Sequence, residues 1–187
     1  MDNVIRGNFG FDFVTYRQFK LDYLLSLGYE ESEALALSKK EDMDSFILSI
    51  YENIPKPRRS TNYSSGYDVF SPVDFTLNPT DEIIVPTGIL CEMPPYVWAM
   101  AIPRSGLGFK GLALYNTVGN IDADYSFADN EGHIKVKFRN DGKQPIQIKK
   151  GTAFFQIVIV PYFTFENEIK PNKIRTGGFG STDEKRD

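Results

Sequence analysis

GLGFKGLALYNTVGNID, residues 106–122, opens with three of its four glycines, Gly106, Gly108 and Gly111, spaced as GxGxxG. That spacing marks a dinucleotide-binding turn only where a helix follows it within a βαβ unit. Here LALYNTVGNID follows, rich in strand and turn formers, so the stretch predicts short strands and a hairpin rather than a Rossmann-like unit. No GxxxxGK followed by Ser or Thr occurs either, which leaves a P-loop without support.

The same texture extends outward from that stretch, beginning at Gly66. Asp81 to Val85, Val97 to Ile102, His133 to Phe138, Ile146 to Ile148 and Phe154 to Val160 are short and rich in Val, Ile and Phe. Gly, Pro, Asn and Asp clusters separate them. Strands at this spacing predict a mainly β fold, an antiparallel sandwich or barrel. Upstream the period changes. Between Tyr16 and Glu52, Phe19, Tyr23, Leu24 and Leu27 share one helical face, Gly28 interrupts, and Phe46, Ile47 and Ile50 repeat the pattern. A helical hairpin is expected there, packing its apolar stripe on the β core, or else offering a docking surface to a protein partner. The polar stretch around Pro55 and Pro57 marks the passage between the two textures. After Pro161 the hydrophobic periodicity fades, and RTGGFGSTDEKRD is Gly-rich and polar, so a mobile C-terminal arm is expected. The expected organisation is one domain over 1–187, with a helical insert at 16–52, a barrel core at 53–170 and the arm at 171–187.

At 187 residues and 41% hydrophobic, the chain suits one principal core. A formal net charge of −4 repels polyanions, so nonspecific nucleic-acid binding is not expected. Cys91 and His133 are the single cysteine and histidine, which excludes an intrachain disulfide, a zinc cluster and a Ser/His/Asp or Cys/His triad within one chain. A general base must then be a carboxylate. No secretory leader or membrane-length apolar run is evident, and a cytoplasmic location without membrane contact is expected.

Two short stretches carry chemistry. PRSGLG, Pro103 to Gly108, sets Arg104, Ser105 and Gly106 side by side, and guanidinium, hydroxyl and open backbone N–H are groups that hold phosphate oxygens. By itself it reads more readily as a surface turn with an exposed arginine. GNIDADY, Gly119 to Tyr125, places Asp122 and Asp124 two residues apart, on one face of an extended chain, where one of them could orient a water. Alone, that too is an ordinary polar approach to a hairpin.

In order along the chain, SGYDVFS (Ser65–Ser71), PRSGLG, NTVGNIDADY (Asn116–Tyr125), GTAFFQ (Gly151–Gln156) and RTGGFGST (Arg175–Thr182) resemble the five motifs of the trimeric dUTPase family. NEGHI, Asn130 to Ile134, is similar to a lengthened hairpin in a subgroup from bacteria and their phages. The resemblance implies a jelly-roll-like barrel, a homotrimer with active sites at subunit boundaries, and cleavage of dUTP to dUMP and pyrophosphate. Mg²⁺ would be held by triphosphate oxygens and water rather than by a protein ligand. Asp122 then matches the water-activating carboxylate, and Tyr125 the ring that packs on deoxyribose. Asn116, Gly119 and the backbone of Asn120, Ile121 and Lys135 match the uracil-reading hairpin. Arg104, Ser105, Gly106 and Gln156 match the phosphate-holding positions, with Gly66 and Asp68 in the structural first motif. In the arm, Arg175 matches the residue that reaches the terminal phosphates and Phe179 the aromatic that stacks on uracil, followed by Gly180 and Ser181. Ala153 and Phe155 stand where the family usually carries a basic and a small residue, and Asp183 where glycine is usual. A dCTP deaminase on the same scaffold would need a glutamate where this chain has Lys137, and a regulatory nucleotide sensor is a further alternative.

Overall fold

The computed structural model describes residues 9–40, 45–169 and 175–177. Its elements run β1 (Gly10–Phe13), α1 (Tyr16–Ser26), α2 (Glu31–Ser38), α3 (Ser45–Tyr51), β2 (Arg58–Arg59), β3 (Gly66–Phe70) and β4 (Phe75–Leu77). They continue with β5 (Glu82–Pro86), β6 (Ile89–Glu92), β7 (Val97–Pro103), α4 (Ser105–Gly108), β8 (Leu112–Leu114) and β9 (Gly119–Ile121). A 3₁₀ turn over Ala123–Phe127 then leads to β10 (Lys135–Asn140), β11 (Ile146–Ile148) and β12 (Ala153–Pro161).

Every strand pair among the described residues is antiparallel, as the short hairpin-like spacing requires. The largest sheet has the order β2-β3-β12-β7-β9, faced by β5-β10-β8 and the two-stranded pairs β11-β4 and β1-β6. Alternation decides which side chains turn inward. Val97, Ala99 and Ala101 of β7 are buried, as are Val136 and Phe138 of β10, while Lys135 and Lys137 lie on the opposite face. The mainly β architecture agrees with the sequence reading. The five segments read as strands correspond to β5, β7, β10, β11 and β12, with boundaries displaced by at most two residues, and β8 and β9 fall in the stretch read as short strands and a hairpin, whereas β1, β2, β4 and β6 gave no readable signal.

β12 departs from alternation at one point. Its register against β3 shifts between Ala153 and Phe155, and this bulge lets the consecutive side chains of Phe154 and Phe155 both become fully buried. Their rings meet edge to face at 5.0 Å, and Phe138 packs against both. Phe155 at its unusual position is therefore a core anchor within this chain.

The front of the chain differs from a two-helix hairpin. α1 ends before Gly28, and α2 and α3 follow as separate short helices. Phe19, Tyr23, Leu24, Ile47 and Ile50 are buried in the same apolar cluster as the strands. Leu27 and Phe46 are exposed instead. α1 stops at Ser26, so Leu27 leaves its face, and in α3 the pair Ile47 and Ile50, three residues apart, defines a buried stripe from which Phe46 is rotated away. The N-terminus of α1 is capped by Thr15, whose Oγ accepts from the Gln18 N–H at 3.2 Å. No helix among the described residues is long and apolar enough to cross a membrane.

Candidate functional site

A pocket of about 280 Å³ opens between β9, the 3₁₀ turn and β10. Asn116, Gly119, Asn120, Ile121, Asp122, Tyr125 and Lys135, all singled out from the sequence, line it, and Arg175 closes one side. The space exists because two small residues oppose each other in register. Ala101 of β7 faces Gly119 of β9, and a Cβ added at Gly119 would lie 2.9 Å from that of Ala101. Asn116 sits at the turn before β9, where the Val118 N–H donates to its carbonyl at 2.7 Å.

Asp122 and Asp124 do not share an extended face. Asp122 is the last extended residue before the 3₁₀ turn, and Asp124 lies in its first turn. The turn forms because the N–H of Tyr125 donates back to the Asp122 carbonyl at 3.1 Å. Both carboxylates nevertheless converge on one guanidinium: Arg175 Nε donates to Asp124 Oδ1 at 2.7 Å, and Nη2 donates to Asp122 Oδ2. Asn120 Nδ2 donates to the other oxygen of Asp122 at 3.2 Å. With both partners donating, the Asp122 carboxyl is held as an acceptor at both oxygens.

Tyr125 is 8% exposed, with its ring against the pocket. Its hydroxyl donates to the His133 carbonyl at 3.0 Å and accepts from Asn130 Nδ2 at 2.8 Å. Burial pushes the phenol above its ordinary value, and it stays protonated at neutral pH. Lys137, which also lines the pocket, donates to Glu82 at 2.6 Å and sits 3.8 Å from the Tyr115 ring centroid. Tyr115 and Lys137 as pocket walls escaped the sequence reading. The signal was present in KVK, since alternation along β10 places Lys135 and Lys137 on one face.

The phosphate-type residues gather elsewhere. Arg104, Ser105, Gly106 and Gln156 do not line this pocket. Arg104 ends β7 as the cap of α4, and its Nε lies 3.1 Å from Asp68 Oδ1, while Ser60 Oγ donates to Asp68 Oδ2 at 2.6 Å. Asp68 is therefore the residue that aims the guanidinium. Gln156 pairs across β3 with Asp68 and covers Gly66, where a Cβ would stand 2.1 Å from Gln156 Oε1, so only glycine leaves that side chain its place. Ser105 and Gly106 are exposed at the start of α4, a four-residue helix in place of the simple turn expected. Phe179, Gly180 and Ser181 lie outside the described residues.

A protein-family model described as dUTPase matches residues 52–183. The deoxyuridine 5'-triphosphate nucleotidohydrolase of Lactococcus lactis is 37% identical over 141 residues, covering 73% of this chain and 94% of that protein. Among solved structures, the dUTPase of Streptococcus mutans superposes with a TM-score of 0.54 at 31% identity, covering 60% of this chain and 89% of that one. A variant of the dUTPase from phage phi11 of S. aureus, described as coordinating a structural Mg(II) ion, gives a TM-score of 0.53 at 25% identity, over 64% of this chain and 91% of that one.

Proposed function

Because the chain belongs to the dUTPase family, we propose that it hydrolyses dUTP to dUMP and pyrophosphate with Asp122 as the base that directs water at the α-phosphorus. The observation that carries this reading is the placement of Asp122 on the rim of a nucleoside-sized pocket, beside Tyr125 and held by Asn120 and Arg175. Asp122 takes a proton from the water as its oxygen bonds to the α-phosphorus, the bond to the bridging oxygen breaks, and pyrophosphate leaves. No histidine is needed, and the single one is engaged elsewhere.

Each remaining residue has a role in this reading. The backbone of Asn120, Ile121 and Lys135, with Asn116, reads the uracil edge, where the exocyclic amine of cytosine would reverse one hydrogen bond. The ring of Tyr125 fills the space that a 2′-hydroxyl would occupy. Arg104, Ser105, Gly106 and Gln156 hold the phosphate chain, and Arg175 with Phe179, Gly180 and Ser181 closes over it. Mg²⁺ would neutralise charge on the phosphates, held by the triphosphate oxygens and water rather than by a protein ligand, in keeping with its reluctance to give up its water. The product dUMP would feed thymidylate synthesis while dUTP is kept low.

A homotrimer follows from the same reading. The phosphate-holding cluster and the pocket are separate within one chain, and a second copy would bring one to the other. Phe109, Phe163, Phe165 and Ile169 are each more than four-fifths exposed, apolar surface that an interface would cover. Lys137, bound to Glu82, stands where a deaminase needs a carboxylate proton shuttle, which supports hydrolysis over deamination. The test is pyrophosphate release from dUTP, dCTP, dTTP and UTP alongside solution mass. The expected result is dUTP-selective release by a trimer, and equal turnover of dCTP or deaminated product would overturn it.

A further inference from the structure

Helix α1 lies outside the residues matched by the family model, yet it reaches the pocket through one carboxylate. Asp22 is 3% exposed, and it receives three donors: His133 Nδ1 at 2.6 Å, Lys135 Nζ at 2.5 Å and Gln18 Nε2 at 2.7 Å. Gly88 N–H donates to His133 Nε2 at 2.8 Å, so the ring is a neutral imidazole with its proton on Nδ1. The carbonyl of the same His133 accepts the Tyr125 hydroxyl. Glu131, two residues upstream, accepts from both the N–H and the hydroxyl of Thr15 at 2.6 and 2.7 Å. In this way α1 clasps the turn before β10 at two points, its N-cap Thr15 and mid-helix Asp22, and the second touches both flanks of the pocket.

We propose that Asp22 is a positioning residue for nucleotide selection, fixing Tyr125 through His133 and the start of β10 through Lys135. The proposal rests on the reading of Tyr125 as the deoxyribose-facing ring. A buried carboxylate with three donors is rigid in a way that an apolar contact is not, because moving it would strand charge and hydrogen bonds away from water. The pocket wall that must reject one hydroxyl group is thus fixed by a polar network rather than by packing alone. Helix α1 contributes this without touching substrate.

Three full-length variants test the inference against the parent, with dUTP and UTP as substrates. Asp22→Asn keeps the size of the side chain and removes its charge. The expected result is a rise of about five- to tenfold in KM for dUTP, kcat within about twofold, and a fall of about tenfold in preference for dUTP over UTP. Glu131→Gln loosens only the exposed clasp on Thr15 and should shift the same quantities in the same direction by a smaller factor, which keeps the test alive if Asp22→Asn folds poorly. Ile50→Ala, which opens space under α3 without touching the polar network, should lower Tm and leave the preference unchanged. Unchanged KM and preference in the first two variants would overturn the inference, as would an equal loss of preference in Ile50→Ala. A parent that leaves dUTP intact would instead overturn the reading on which it rests.

Discussion

Arg175 and Asp122 form an ion pair within one chain, with Nη2 of the arginine donating to Oδ2 of the aspartate while Nε holds Asp124. In the mechanism we propose, substrate entry would exchange these carboxylates for phosphate oxygens on Arg175 and leave Asp122 free to accept a proton. Arg175 also donates to the Gly177 carbonyl at 3.3 Å, and the Asp129 N–H donates to the Thr176 carbonyl at 3.0 Å, so Arg175 to Gly177 lie against the pocket and the 3₁₀ turn region.

Truncation before Arg175 should leave a folded protein with Tm close to that of the parent and kcat/KM for dUTP lower by about a hundredfold or more, since both closure and a phosphate ligand are lost. Thermal melts and steady-state kinetics on the same preparation check this. Parental activity in the truncated chain would remove the arm from the mechanism.

Tyr125→Ala should raise kcat/KM for UTP relative to dUTP by about tenfold to a hundredfold, because in the proposed binding mode that ring fills the space of a 2′-hydroxyl. Tyr125→Phe keeps the ring and deletes only the hydroxyl that bonds His133 and Asn130. It should therefore cost about 1 kcal/mol of stability and change discrimination far less. Competition assays with paired nucleotides separate the two.

His133 supplies a pH signature of the fold. It is fully buried, and burial holds its pKa below the ordinary value although Asp22 opposes the shift. The unfolded chain therefore binds a proton below about pH 6.5 that the folded chain refuses, and stability falls as pH drops through that value. Asp22 acts lower on the scale: burial pushes its carboxyl up, but the hydrogen bond from His133 and the charge of Lys135 hold it at about 2. Its contribution is present above the unfolded pKa near 3.8 and is lost as pH falls toward 2. With one histidine in the chain, His133→Asn should flatten the dependence of unfolding free energy between pH 6.5 and 5, by at most about 1.4 kcal/mol per pH unit. Urea denaturation across that range reads it directly, and an unchanged slope would assign the dependence to other groups.

Phe155→Ala should cost about 3–5 kcal/mol, since the bulge in β12 buries this ring among Phe154 and Phe138 and the space cannot collapse without moving the sheet. A midpoint change in denaturant titration measures it. A loss below about 1 kcal/mol would mean that the ring packs loosely.

Strand alternation made β5, β7 and β10 to β12 legible, and motif order made the pocket legible from Asn116 to Tyr125. What stayed hidden has definite causes. β2 has two residues and β4 three, too short for a period to register. The 3₁₀ turn after Asp122 depends on a local backbone bond that residue types in IDADY do not announce. The Asp22, His133 and Lys135 network joins positions more than a hundred residues apart, so local patterning could not foresee that the lone histidine would lock a helix to the pocket wall.

The most direct test is magnesium-dependent pyrophosphate release from dUTP by the parent protein and by Asp122→Asn, an isosteric change that keeps a side chain beside Asn120 and Arg175 while removing the base. The expected loss in kcat is at least about a hundredfold, with the variant still folded and still retaining dUTP in equilibrium binding. Equal turnover by the two proteins would contradict the assignment of Asp122 as the residue that activates water.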